Sequence, residues 1–236
     1  MAEFAAASAS ELLSWAISTY GNRFGIATSF QKEGMVIVDM AARIDPGVRI
    51  FTLDTGRLPE ETYQMMETVR SRYGSAVEIV APDGAAIEKL VSIDGPNLFY
   101  RSVEARKSCC EVRKVQPLAR KLTEFDAWAT GLRREQSETR ANVERLERSD
   151  GRVKISPLAD WTEADVEGYI LQYDVPVHPL YARGYASIGC APCTRAIQPG
   201  EDSRAGRWWW EEDVHKECGI HFAPDGSVSR VAPRRS

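Results

Sequence analysis

The sequence predicts a doubly wound, mostly parallel α/β sheet, and three observations predict it. Short apolar runs alternate with longer stretches of helical periodicity, the alternation that winds into such a sheet. Small or polar loops follow three of these runs, beginning at Ser29, Asp54 and Gly131. Ligands of such sheets sit beyond the carboxyl ends of the strands, so the three loops can share one crevice. The 236 residues, 43% hydrophobic and 27% charged, suit one compact unit with or without an appendage.

Residues 10–20 read as an amphipathic helix, with a serine near its start and Gly21 behind its end. The apolar run 24–28 is a buried strand that leads through Ser29-Phe-Gln-Lys-Glu-Gly34 into an apolar helix over 35–42. Strand, small polar loop and helix is an arrangement that binds phosphate through backbone N–H groups. Alone it is a weak signal, because it matches neither glycine-rich phosphate-loop pattern. Residues 48–54 form a second strand, followed by Thr55-Gly-Arg-Leu58 and a helix opening at Pro59. A third strand over 76–81, a helix over 84–92 and a loop at Gly95-Pro96 come next. One long helical stretch spans about 102–123, and a strand over 126–130 runs into Gly131-Leu-Arg-Arg-Glu-Gln-Ser-Glu-Thr-Arg140. A short strand over 153–157 precedes a helix over 161–171, with Thr162 as its cap and Asp165 at the capping-box position. A proline-fixed connector covers 175–180. Gly206-Arg-Trp-Trp-Trp-Glu211 holds three of the six tryptophans. It reads as a buried aromatic cluster whose flanking arginines packing does not explain. The tail from Phe222 is rich in proline, glycine, serine and arginine and is expected to be mobile.

The five cysteines carry the sharpest chemistry. Cys109 and Cys110 are adjacent in a basic helical segment, Cys190 and Cys193 form a C-x-x-C after a small-residue loop, and Cys218 stands alone. Two tight pairs are what a tetrathiolate site needs, since soft ligands at short spacing lose little chain entropy on closure. Spacing alone leaves an iron–sulfur cluster, a structural zinc ion and two disulfides open, the last disfavoured in a chain with no mark of secretion. Cys218 has His215, Lys216 and His221 near it, and groups that can carry positive charge favour the nucleophilic thiolate. Its alternative is a buried structural cysteine, which those polar neighbours do not resemble.

Net charge is −4 and the pI near 5.6, which disfavours non-specific nucleic-acid binding. Arginines nevertheless gather at 133, 134 and 140, and again at 204 and 207, as a small anionic substrate would require. No signal peptide, transit peptide or membrane-length apolar run is seen, so a cytoplasmic location and no membrane partner are expected.

Taken together, these motifs resemble the sulfonucleotide reductase family, in the iron–sulfur branch of bacterial assimilatory adenosine 5′-phosphosulfate (APS) reductases. The resemblance rests on Ser29-Phe-Gln-Lys-Glu-Gly34, Leu53-Asp-Thr-Gly-Arg57, Cys109-Cys110 with Arg113-Lys114, and the stretch 131–140. It continues through Ser187-Ile-Gly-Cys-Ala-Pro-Cys-Thr194, Arg204-Ala-Gly-Arg-Trp-Trp-Trp210 and Glu217-Cys-Gly-Ile-His221, in family order over nearly the whole chain. It implies a fold like that of the adenine nucleotide α-hydrolases, with Gln31-Lys-Glu-Gly34 in place of the usual S-G-G-x-D-S pyrophosphatase loop. That departure argues against ATP activation. The implied organisation is a nucleotide-binding reductase unit over 1–205, which includes the iron–sulfur site, and a C-terminal segment over 206–236 bearing Cys218.

The implied reaction is reduction of APS to sulfite and AMP, in sulfate assimilation and cysteine biosynthesis, with an external thioredoxin or glutaredoxin as donor. By resemblance, Cys109, Cys110, Cys190 and Cys193 ligate a [4Fe–4S] cluster, and Cys218 is the nucleophile. His221 and Lys114 are implied as catalytic, although His221 also reads as an ordinary tail histidine. The nucleotide would be held by Ser29, Phe30, Gln31, Leu53, Asp54, Thr55 and Gly56, and the phosphosulfate by Lys114, Arg140, Arg204 and Arg207, with Arg133 a further substrate-binding residue. The competing readings are reduction of the 3′-phosphorylated nucleotide (PAPS), ATP-dependent sulfur insertion into tRNA, and a zinc-bound interaction module. A homo-oligomer is compatible with the sequence.

Overall fold

A computed structural model of the protein describes residues 7–137, 140–149 and 151–211, together with the short strands His221–Phe222 and Val228–Ser229. Its centre is a six-stranded sheet in the order β3-β2-β1-β4-β6-β5. These strands are β1 Phe24–Ala27, β2 Arg49–Leu53, β3 Val77–Val80, β4 Ala127–Thr130, β5 Leu146–Ser149 and β6 Arg152–Ile155. All neighbouring pairs are parallel except β5 with β6. The chain moves outward from β1 to β3, then returns to β4 on the other side of β1, so the strand order reverses there and opens a crevice.

Side chains alternate across this sheet, and both faces are covered. Ile26, Ile50, Ala127, Ala129, Val153 and Ile155 belong to the larger core. That core also takes in α1 (Ala9–Tyr20), α2 (Lys32–Ile44), α3 (Glu60–Tyr73) and α7 (Glu163–Tyr173). Phe51, Val80 and Trp128 point the other way and pack with Leu118, Leu122 and Phe125. A parallel sheet buried on two faces needs such near-continuous apolar strands. At Gly25 an added Cβ would stand 2.7 Å from the Phe125 ring, so this strand position admits no side chain.

The helix expectations hold, with shifted boundaries. Ser8 and Glu11 form a capping box on α1, and Thr162 and Asp165 form the expected one on α7. The second helix begins at Lys32, three residues before its apolar run. The remaining helices are α4 (Gly84–Asp94), α5 (Val103–Cys110) and α6 (Gln116–Leu122).

Two features differ from expectation. Strand β5 is an antiparallel edge strand absent from the sequence reading, because Leu146-Glu-Arg-Ser149 offers a single apolar residue. Charged edges of this kind discourage pairing with other chains. The long helical stretch is not uniform: between α5 and α6, residues Glu111–Val115 take a π-helical turn, a widening that recurs at functional sites. Among the described residues no helix is long and apolar enough to cross a membrane. The expected mobile tail lies outside the described residues apart from the two short strands, which pair antiparallel.

Candidate active site

The loops after β1, β2 and β4 converge as expected, and a cleft of about 310 Å³ opens between them. Its walls include Thr28, Ser29 and Gln31 after β1, Thr52 and Leu53 at the end of β2 with Thr55 beyond it, and Thr130 at the end of β4 with Gly131 beyond it. A second pocket of about 410 Å³ adjoins it and shares Gln31, Arg140 and Arg207 as lining; Arg133 and Arg204 line this second pocket as well.

Several predicted residues have other work. Phe30 is fully buried in the larger core, with φ of 58° in a region non-glycine residues seldom occupy. Its N–H donates to Thr28 Oγ1 at 3.0 Å, so it shapes the loop without lining the cleft. Asp54 accepts from the Gly56 N–H at 2.8 Å and from the Tyr63 hydroxyl at 2.9 Å, closing the turn that Gly56 makes at φ 66°. Gln31 donates to Ser29 Oγ, and its Oε1 accepts from the Ile188 N–H at 2.9 Å, tying the first loop to the C-x-x-C loop. Arg133 reaches the pocket wall, yet its guanidinium is taken up by Glu33 at 2.9 Å, by Glu135 at 3.4 Å and by Glu163.

Arg207 is placed differently. Its guanidinium lies 4.6 Å from the Trp208 ring and donates at 3.4 Å to Ser187 Oγ and to the Ile188 carbonyl. Its buried Nε has no partner. Gly189 makes room for it: a Cβ there would sit 2.4 Å from Arg207 Nη2. An arginine held by neutral acceptors, with donor capacity to spare, keeps its charge for an anion.

The four paired cysteines meet in one small cavity beneath this region, all buried and none in a disulfide. Trp208 packs against Cys109, Cys190 and Cys193. Arg57, Arg106, Arg113 and Lys114 line the same cavity. The Thr55 hydroxyl lies 3.2 Å from Cys190 Sγ. Burial pushes the Cys193 thiol up to about 12, aided by Cys190 and opposed by Lys114 and Arg207. Burial also raises Cys109, against Arg113 and Lys114. Four soft sulfurs in a small cavity lined by four cationic side chains suit an anionic tetrathiolate cluster. Among the described residues no three cysteine, histidine or carboxylate groups close on a single ion; cubane ligands each bind a different corner iron and need not do so.

The π-helical turn explains how the two sites join. It aims Arg113 Nη1 at the Thr55 carbonyl, 2.6 Å away, which fixes the β2 loop to the cysteine helix. It also puts Lys114 in the lining of both the cleft and the cysteine cavity. The resemblance named Lys114 and included Arg57 and Arg113 without giving them a role; Arg106 was not singled out, and its cationic character beside the cysteine pair was the signal that could have found it. Thr130, with a buried hydroxyl that has no partner and a place in the cleft wall, was missed too. Cys218 lies outside the described residues, as does the side chain of His221.

A cleft at a strand-order reversal, opening toward arginines and joined to a cavity of four buried cysteines, is the arrangement of a nucleotide-binding α/β enzyme. The profile described as the phosphoadenosine phosphosulfate reductase domain matches residues 23–196, and the chain belongs to that family. It is 54% identical over 198 residues to the adenosine 5′-phosphosulfate reductase of Burkholderia cepacia, covering 83% of this chain and 79% of that one. With the enzyme of the same name from Pseudomonas aeruginosa (strain LESB58) it shares 44% over 220 residues, 89% of this chain and 81% of that one. Among solved structures it resembles the phosphoadenylyl-sulfate reductase of Candida auris in a phosphate complex, at a TM-score of 0.68 and 29% identity. That alignment covers 81% of this chain and 91% of the other. Yeast FAD synthetase, at a TM-score of 0.54, 13% identity and 80% and 66% coverage, shares the fold alone.

Proposed function

We propose that this protein reduces APS to sulfite and AMP, using electrons from a thioredoxin-type dithiol. The observation that carries the reading is the pair of shared side chains. Arg207 lines both the nucleotide cleft and the arginine pocket, and Lys114 lines both the cleft and the cysteine cavity. A nucleotide in the cleft would extend its anhydride toward these cations.

In the proposed reaction the Cys218 thiolate attacks the sulfate sulfur. The bond from sulfur to the bridging oxygen breaks, and AMP leaves with the electron pair, giving S-sulfocysteine. Charge builds on the departing phosphate, where Arg207, Arg140, Arg204 and Lys114 would stabilise it. A thioredoxin thiolate then attacks Cys218 Sγ and expels sulfite, and the second thiol of the donor resolves the mixed disulfide. The donor supplies both electrons. Cys109, Cys110, Cys190 and Cys193 would hold a [4Fe–4S] cluster, which when bound supplies a fixed charge and orders the segments around Lys114. The named relatives and the cysteine quartet favour APS over PAPS as substrate.

The test is an anaerobic intact-mass measurement on protein mixed with APS and no donor, followed by peptide mapping. One sulfonate group on the Cys218 peptide, lost with release of sulfite when reduced thioredoxin is added, is expected. An adduct with PAPS only would overturn the substrate, and no adduct with either nucleotide would overturn the reaction.

A further inference from the structure

We propose that the buried Arg106–Glu211 ion pair is a positioning device that fixes the root of the nucleophile-bearing segment to the helix carrying Cys109 and Cys110. The proposal rests on the reading above, in which Cys218 is the nucleophile. Arg106 stands one helical turn before the cysteine pair and lines the cysteine cavity. Its Nε and Nη2 meet Glu211 Oε1 and Oε2 at 2.6 and 3.0 Å, a two-pronged contact between side chains only 4% and 3% exposed. The same guanidinium lies 4.5 Å from the Trp208 ring, which Arg207 also approaches, at 4.6 Å.

The stretch from Arg207 to Glu211 is pinned at further points. The Trp208 N–H donates to the Cys193 carbonyl at 3.1 Å, and the Glu211 N–H donates to the Trp208 carbonyl at 2.8 Å. Trp208 itself is held at φ 43°, a left-handed conformation that persists only where the surroundings over-determine it. Six residues separate Glu211 from Cys218. A buried pair of this kind adds little stability over well-packed apolar side chains. What a fork-to-carboxylate contact adds is one register and one orientation. Here that orientation joins the wall of the cysteine cavity to the point from which the nucleophile's segment departs.

The informative variant removes both charges at once, Arg106→Met with Glu211→Leu, because either single change strands a buried charge. Glu211→Gln is the milder companion. Holoenzyme of each is compared with wild type for iron per chain, AMP affinity, the single-turnover rate of Cys218 sulfonation by APS, and hydrogen exchange in residues 207–211. Unchanged iron and AMP affinity are expected, with sulfonation about 10–100-fold slower, as for a misplaced reactive group, and faster exchange over 207–211. Sulfonation within about twofold of wild type in the double variant would overturn the proposal. Loss of iron would also overturn it, assigning the pair to the cysteine cavity itself. If wild type gives no Cys218 adduct, the functional reading fails and exchange alone decides: unaltered protection over 207–211 in the double variant would then sink the anchor.

Discussion

The arginine pocket and the cysteine cavity are both lined with cations, yet they hold them differently. In the pocket, Lys32 is paired with Glu163 and Glu167, and Arg133 with Glu33, Glu135 and Glu163, so the charge of these two is cancelled on the spot. In the cavity Arg106 is likewise paired, with Glu211, but Arg57 donates to the Pro96 carbonyl and to Asn97 Oδ1, and Arg113 to the Thr55 carbonyl. Neutral acceptors fix a guanidinium without neutralising it. Arg207 faces the pocket yet is held by neutral acceptors, which leaves its charge available to an anion there. A list of lining residues would not separate these arginines. The partner of each one does.

The largest effect should come from breaking the cavity. Cys190→Ser removes one of the four proposed cluster ligands and the sulfur beside Thr55, and iron bound per chain is expected to fall from about four toward zero. Turnover should fall on the order of 100-fold or more. Iron and sulfide analysis beside sulfite release checks it; a variant with full iron content would remove Cys190 from the ligand set.

The next effect sharpens the contrast between two arginines. Arg207→Gln should lower kcat/KM by about 100–1,000-fold, the cost of one donor at a developing anion, while leaving the melting temperature nearly unchanged. Arg133→Met should do the reverse. It strands the nearly buried Glu33 carboxylate, but Glu135 and Glu163 are half exposed and can hydrate, which discounts the loss to about 2–4 kcal/mol. Thermal melts should therefore drop by about 5–15 °C, with activity per folded molecule changed less than about tenfold. Equal losses of activity in the two variants would dissolve the distinction between working and structural cations.

These roles show what could be read from the sequence and what could not. The parallel sheet was legible because each strand is a local apolar run, and the cysteine quartet because its members come in pairs at helix and turn spacing. Strand β5 was not, since its pattern is charged and its evidence is a partner strand. The restraint on Arg133 was also hidden: Glu33 lies a hundred residues before it, so neither spacing nor charge clustering connects them. The clustering of arginines at 133–140 marked residues that do line one pocket, but not the three carboxylates that hold Arg133. The π-helical turn left no mark either, yet it sets which way Arg113 and Lys114 face.

The smallest predicted effect tests burial away from both sites, at His178. Its Nδ1 accepts the Leu180 N–H at 3.3 Å, so Nε2 must carry the proton it shares with Thr62 Oγ1 at 3.1 Å, and the ring is neutral. Burial holds the pKa below the ordinary histidine value, with Glu61 opposing. The unfolded chain therefore takes up a proton as pH falls through about 6.5, at a pH where the folded chain still refuses it. Unfolding is then linked to proton uptake, and stability rises with pH across this window and levels off above it. Melting curves between about pH 5 and 8 should show His178→Gln with a shallower acid-side slope than wild type, at the same ionic strength. Parallel slopes in the two proteins would mean that His178 is protonated in the fold, which the Leu180 bond does not allow.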